Sequence, residues 1–176
     1  MGLLRDEDGR PRLELRTSGT TDRPRTVVRS LASWVASFDH LSRLAGITAG
    51  DRVLVPAPPS GSMFAFALAH AAHVGADVEA LPRWSVRGAE DALERCTVAH
   101  LTPAMLGALL GRDLGRLRTV VCAGSALPDA VREQSLAAEV QVVDYYGAAE
   151  LSFVAIRTDG RTCRHRPILT PERLHP

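Results

Sequence analysis

The chain has 176 residues, 45% of them hydrophobic and 23% charged, with a formal net charge of +1 at pH 7. That length fits one domain with a real core, and so even a charge balance gives no reason to expect nucleic acid or a charged membrane surface as partner. No apolar run approaches the ~20 residues of a membrane span, and Met1 to Pro11 is charged where a signal peptide would be apolar, so the expected location is cytoplasmic.

All 21 basic residues are arginine, and the chain contains neither lysine nor asparagine, a pattern read here as nucleotide bias in the gene. A step that requires a lysine side chain cannot be carried out by this polypeptide. Cys96, Cys122 and Cys163 are widely spaced without a Cys-x-x-Cys pair, which suggests neither a disulfide framework nor a zinc site.

In chain order, residues 1–12 are polar and read as a mobile start or a short hairpin. Leu13 to Arg16 alternates like a strand, and Thr26 to Arg29 is β-branched again. Between them Thr17-Ser18-Gly19-Thr20-Thr21-Asp22-Arg23-Pro24-Arg25 packs four hydroxyls, a glycine and two guanidinium groups into nine residues. Glycine lets backbone N–H groups converge, hydroxyls add donors and arginine adds fixed charge, which is the make-up of an anion-holding loop. The same composition also makes an ordinary turn.

Ser30 is placed to cap a helix running to about Ala45 with Gly46 as its stop, because apolar residues recur there at three- and four-residue spacing. Asp51 to Pro56 reads as a buried strand, and Ser62 to Val74 as an apolar helix closed by Gly75 and covered on most sides. His70 and His73 share a face of that helix and read as packed or half-exposed core histidines rather than metal ligands. Strands follow at Asp77 to Leu81, Thr97 to Leu101, Leu117 to Cys122, Val140 to Asp144 and Leu151 to Ile156. Helices are expected over Val86 to Glu94, Thr102 to Leu110 and Pro128 to Ala138. This alternation predicts an α/β fold with a predominantly parallel sheet and helices on both faces. The expected organisation is a flexible 1–12, an α/β domain over 13–156 and a loosely held or surface-docked tail over 157–176.

Two further places draw attention. Ala123-Gly124-Ser125-Ala126-Leu127 is a small-residue turn after a strand, and Asp144-Tyr145-Tyr146-Gly147-Ala148-Ala149-Glu150 also follows a strand, at the end where open parallel sheets bind ligands. Taken singly, the first fits any tight strand-to-helix turn and the second a helix cap or a solvated charge.

Taken together and in order, the three stretches resemble motifs of the adenylate-forming superfamily, which includes acyl-CoA synthetases, luciferases and peptide-synthetase adenylation domains. Thr17 to Arg25 is similar to its phosphate loop T-S-G-T-T-G-x-P-K at seven of nine positions, counting the free one. The departures are Asp22 for glycine and Arg25 for lysine. Ala123 to Leu127 is similar to S-G-G-A-P-L, and Tyr146, Gly147 and Glu150 match Y-G-x-T-E, with Ala149 replacing threonine.

The resemblance implies the fold of the central part of that family's N-terminal domain. It also implies activation of a carboxylic acid by ATP as an acyl-AMP, with CoA or an acyl carrier protein as acceptor. In that case Thr17, Ser18, Gly19, Thr20, Thr21 and Arg25 would hold the outer phosphates. Gly124, Ser125, Ala126, Asp144, Tyr146 and Gly147 would hold adenine, and Glu150 would bind Mg²⁺. Ser60, Met63 and Phe64 would approach the acyl group. The family's long leading segment, later ribose-binding aspartate and lysine-bearing C-terminal domain find no counterpart here. Two alternatives therefore stand beside an adenylating ligase: a degenerate, non-catalytic nucleotide-binding or subunit-interaction protein, and one half of a split enzyme completed by a partner subunit.

Overall fold

The computed structural model describes residues 2–5, 8–16, 26–59, 62–148, 152–158 and 161–164. Among the described residues fifteen elements follow in chain order. They are β1 (Gly2–Arg5), β2 (Pro11–Arg16), β3 (Thr26–Ser30), α1 (Leu31–Ala45), β4 (Arg52–Val55), α2 (Ser62–Val74), β5 (Asp77–Ala80), α3 (Val86–Leu93), β6 (Val98–Leu101), α4 (Pro103–Leu109), β7 (Thr119–Cys122), α5 (Asp129–Ala137), β8 (Gln141–Ala148), β9 (Ser152–Thr158) and β10 (Arg161–Arg164).

The main sheet has seven strands in the order β10-β9-β8-β7-β6-β4-β5. From β5 to β8 every pairing is parallel, and β9 and β10 add an antiparallel edge. The short strands β4, β6 and β7 are almost wholly buried, as a sheet covered on both faces demands. On one face Val53, Val55, Val98, Val121 and Val143 pack under Trp34, Phe38 and Leu41 of α1 and Phe66 and Ala71 of α2. On the other, Leu54, Ala99, Leu101, Val120 and Val142 pack under Leu93 of α3, Leu106 and Leu109 of α4 and Val131 of α5. The expected mainly parallel α/β sheet with helices on both faces is therefore the fold.

The helix boundaries follow local chemistry. Thr102 caps α4 by accepting from Met105 N–H at 3.3 Å, with Pro103 at the first position, and Ser85 caps α3 by accepting from Gly88 N–H. Gly46 closes α1 in the left-handed conformation with φ 61°. Ser30 occupies the N-cap position of α1, but its side chain makes no capping hydrogen bond. The face of α2 carrying Ala72 and His73 is exposed, so that helix is less enclosed than its uniform apolarity implied.

Three stretches add to the expectation. Of the two readings of the first twelve residues the hairpin is the one present: β1 and the start of β2 form an antiparallel hairpin, extended by β3 into a separate three-stranded sheet. The expected boundary at 156 lies within β9, and residues 161–164, read as loosely held or surface-docked, pair with β9 as β10. Finally, β8 continues past Asp144 to Ala148, because its second half pairs with β9 once the parallel neighbour β7 has ended.

Candidate functional site: a cleft at the carboxyl ends of the parallel strands

β7 ends at Cys122, and the chain turns through Ala123 to Leu127 before entering α5. Gly124 adopts φ +99°, a region L side chains rarely occupy, so a glycine answers a backbone demand there. Beside this turn β8 carries Asp144, Tyr145, Tyr146 and Gly147. A register shift between Tyr146 and Gly147 interrupts the β8–β9 ladder, a device that re-aims side chains at the end of a strand.

Together these segments line a cleft of about 490 Å³, whose walls are Gly124 to Leu127, Asp144 to Gly147, Ile156 and Arg157. Tyr146 is 68% exposed, the most open of the large apolar side chains in the described residues. An aromatic ring held on a strand at the rim of a cleft is a ready stacking surface for a flat ligand. Its neighbour Tyr145 points the other way into the core under α1 and α2, and burial pushes its hydroxyl above the ordinary phenol range.

Asp144 is held from two sides. Its Oδ2 accepts from Arg132 Nη2 of α5 at 3.1 Å and from Arg157 Nη2 of β9 at 3.2 Å. Asp144 and Arg157 are also direct partners in the antiparallel register, so the ion pair is built into the β8–β9 pairing. Oδ1 makes no hydrogen bond among the described residues. Beneath, burial first and the Asp144 charge second raise the Cys122 thiol to about 12, and burial lifts Cys96 to about 11. Both thiols stay protonated at neutral pH and are poor nucleophiles.

Of the residues singled out in the sequence, Gly124, Ser125, Ala126, Asp144, Tyr146 and Gly147 come together in this one cleft. Met63, in the first turn of α2, lies beside it, its Sδ 3.8 Å from where a Cβ on Gly124 would stand. Phe64 packs instead against the core between α1, α2 and the sheet. Ser60, Thr17, Ser18, Gly19, Thr20, Thr21, Arg25 and Glu150 lie outside the described residues. The frame around them is described: Arg16 and Thr26, which flank the hydroxyl-rich loop, are partners in the β2–β3 register, and Ala148, two residues before Glu150, is paired with Ser152. Sequence reasoning missed Arg157 and Ile156, which reach the cleft from β9, and Arg132 of α5, which holds Asp144 from behind; only the register of the β8–β9 hairpin could have pointed to Arg157.

His70 and His73 are on the core helix as expected. His70 is buried with Nε2 2.9 Å from Ser42 Oγ, while the exposed His73 pairs with Asp39 at 3.2 Å. Among the described residues no group of His, Cys, Asp and Glu is arranged to hold a metal ion, and no helix is long and apolar enough to cross a membrane.

A parallel sheet with a small-residue turn and an exposed tyrosine at its carboxyl end defines an α/β protein with a ligand cleft at the strand ends. The sequence matches the family described as "AMP-binding enzyme" over residues 15–171, and the chain belongs to that family. Among curated proteins it is similar to the uncharacterized acyl–CoA ligase YhfT of Bacillus subtilis (strain 168), 30% identical over 145 residues, covering 78% of this chain and 30% of the relative. Among solved structures it is similar to o-succinylbenzoate coenzyme A synthetase from Bacillus subtilis in complex with AMP, with TM-score 0.73, 25% identity, and coverage of 82% of this chain and 31% of that one. The N-terminal domain of FACL13 from Mycobacterium tuberculosis shares the fold, with TM-score 0.69, 21% identity, and coverage of 80% and 38%. The chain thus spans about a third of the length of the relatives it matches.

Proposed function

We propose that the cleft binds the adenine of ATP or AMP and that the protein takes part, in the cytoplasm, in activating a carboxylic acid as an acyl-adenylate, with CoA or a carrier protein as the later acceptor. The observation that carries this reading is the convergence of Gly124 to Ala126, Asp144 and the exposed Tyr146 on one cleft at the ends of β7 and β8. Their chemistry fits adenine. The turn offers backbone without side-chain bulk, Tyr146 a stacking face, and Asp144 Oδ1 an acceptor for an exocyclic amine.

Support also comes from the relatives: a second structure of the Bacillus subtilis synthetase, with TM-score 0.73 and 25% identity, is a complex with ATP and magnesium ion. In this chain the Thr17 to Arg25 loop would hold the outer phosphates, Arg25 supplying fixed positive charge, and Glu150 would give Mg²⁺ the hard oxygen ligand it prefers. When bound, Mg²⁺ offsets the negative charge of the triphosphate. Met63, at the start of α2 beside the turn, together with Ser60 would face the acyl group, whereas Phe64 is taken up by the core.

A second reading is that the protein binds nucleotide without catalysing adenylation alone. It is favoured by Asp22 in the loop and by Ala149, which has no hydroxyl to offer a developing charge. ATP–pyrophosphate exchange over a panel of carboxylic acids, run beside calorimetry with ATP, AMP and Mg²⁺, separates the two. Exchange supports the first reading, binding without exchange the second, and failure to bind either nucleotide removes the site assignment.

A further inference from the structure

We infer that Arg157 is a second base-reading residue of the cleft, donating through Nη1 to a ring nitrogen beside the exocyclic amine that Asp144 Oδ1 accepts. The inference rests on the adenine reading above and sharpens it from one polar contact to a matched pair.

The two ends of the Asp144–Arg157 pair are unequally committed. Arg157 Nη2 donates to Asp144 Oδ2 at 3.2 Å, and Arg132 Nη2 binds the same oxygen at 3.1 Å. Arg157 Nη1 makes no hydrogen bond among the described residues; the carboxylate oxygen nearest it in an ion pair, Asp129 Oδ1, stands 3.9 Å away on a side chain that is 86% exposed. Asp144 Oδ1 likewise makes no hydrogen bond among the described residues. Both residues line the cleft, and Arg157 remains 37% exposed there. The site therefore presents an acceptor and a donor side by side, held together by an ion pair and by direct cross-strand register.

Adenine offers the complement. Its amine donates, and the two ring nitrogens that flank the amine on either edge of the base, N1 and N7, accept; hypoxanthine replaces the amine by a carbonyl oxygen that would face Asp144. Paired donor–acceptor recognition of this kind discriminates because the wrong base leaves desolvated groups unmatched.

The test is calorimetry of the whole chain with AMP, IMP, 1-deaza-AMP and 7-deaza-AMP, for the unaltered protein and for Arg157→Met and Arg157→Lys. The expected result is that one of the two deaza analogues binds the unaltered protein about tenfold more weakly than AMP, the loss of one charge-assisted hydrogen bond. Arg157→Met should bind AMP at that weaker level and no longer distinguish that analogue from AMP, with part of the difference restored in Arg157→Lys. An Arg157 that merely holds Asp144 in place would instead weaken AMP and both analogues equally, which overturns the inference. Equal binding of AMP and both deaza analogues by the unaltered protein also overturns it, whether or not the variants fold, and leaves the adenine site standing. No binding of any of the four nucleotides overturns the site and the inference together.

Discussion

His100 on β6 and His70 on α2 meet edge to face inside the core, ring centroids 6.4 Å apart at an interplanar angle of 65°. Both are buried, and the two ring nitrogens of His100 have no hydrogen-bond partner among the described residues. Burial, reinforced by the neighbouring ring, drives the pKa of His100 down to about 3, and burial above all lowers that of His70 to about 4. Each is neutral in the native protein at pH 7.

The sign of the pH dependence follows. In the unfolded chain each histidine takes up a proton near pH 6.5, whereas in the fold uptake waits until about pH 4 or 3. Between those limits the unfolded state binds more protons, so stability falls as the pH is lowered, by up to about 1.4 kcal/mol per pH unit for each histidine. Urea unfolding at pH 7.5, 6.0 and 5.0 should show this loss. His100→Leu, which removes two unpartnered nitrogens, should be at least as stable at pH 7.5 and should show about half the slope. An unchanged slope in that variant would mean that His100 is not the group taking up the proton.

At the opposite end of the sheet from the cleft, Asp51 ties four elements together. It accepts from Thr97 Oγ1 at 2.6 Å, from Thr48 N–H at 2.8 Å and from Arg118 Nη2 at 2.8 and 2.9 Å; that same nitrogen donates to Gly46 O at 2.7 Å. Burial alone would raise the pKa of Asp51, but the bonds from Thr97, Thr48 and Arg118 and the Arg118 charge outweigh it and hold it below the usual value. Arg118→Ala leaves a buried carboxylate without its cation, and a loss of about 2 kcal/mol is expected, tempered by the partial exposure of Arg118. Because the native carboxyl is the stronger acid, Asp51 stabilises the fold above its unfolded pKa and loses that contribution as the pH falls through its native one. Denaturant curves at pH 7 and pH 3 should therefore separate Arg118→Ala from the unaltered protein more widely at the first than at the second.

Nucleotide binding should depend on the ring of Tyr146 and not on its hydroxyl. Base–aromatic stacking contributes about 1–3 kcal/mol, so Tyr146→Ala should weaken AMP binding about tenfold or more while Tyr146→Phe stays near the unaltered protein. Because Tyr146 is so exposed, neither change should move the melting temperature by more than a degree or two. Equal affinities for all three proteins would show that no base stacks on this ring.

How far the sequence foretold this molecule can be judged at particular residues. The strand–helix alternation was legible because its apolar spacing is local: Leu31, Trp34, Phe38 and Leu41 mark one face of α1 by themselves. Thr102-Pro103 and Gly46 likewise declare helix ends within a few residues. The extension of β8 was not legible, since Tyr146-Gly147 reads as a turn until β9 is there to pair with it. Nor were the polar clusters: Asp51, Thr97 and Arg118 are 46 and 67 residues apart in pairs that include Asp51, and Arg132 meets Asp144 only because α5 packs against β8. The small-residue turn and the tyrosine motif could be picked out by their order and resemblance, and the fold brings them to one cleft, whereas the place of Arg157 in that cleft depends on register.

Gly124 allows the wall of the cleft to be tested by two separable effects. Its φ of +99° is unfavourable for any side chain, and a Cβ there would stand 3.4 Å from Thr102 Cγ2, tight but movable. Gly124→Ala should therefore destabilise the protein by about 1–3 kcal/mol, mostly through backbone strain. Thr102→Ser removes Cγ2 while keeping the oxygen that caps α4 through Met105 N–H. If strain dominates, Gly124→Ala should cost nearly the same in the Thr102→Ser background as in the unaltered one, and AMP affinity should fall in both as the turn shifts. If contact with Thr102 dominates, the double variant should recover most of the loss, as a double-mutant cycle on melting temperature would show directly. A Gly124→Ala protein as stable as the unaltered one, with the same AMP affinity, would show that this turn does not require glycine.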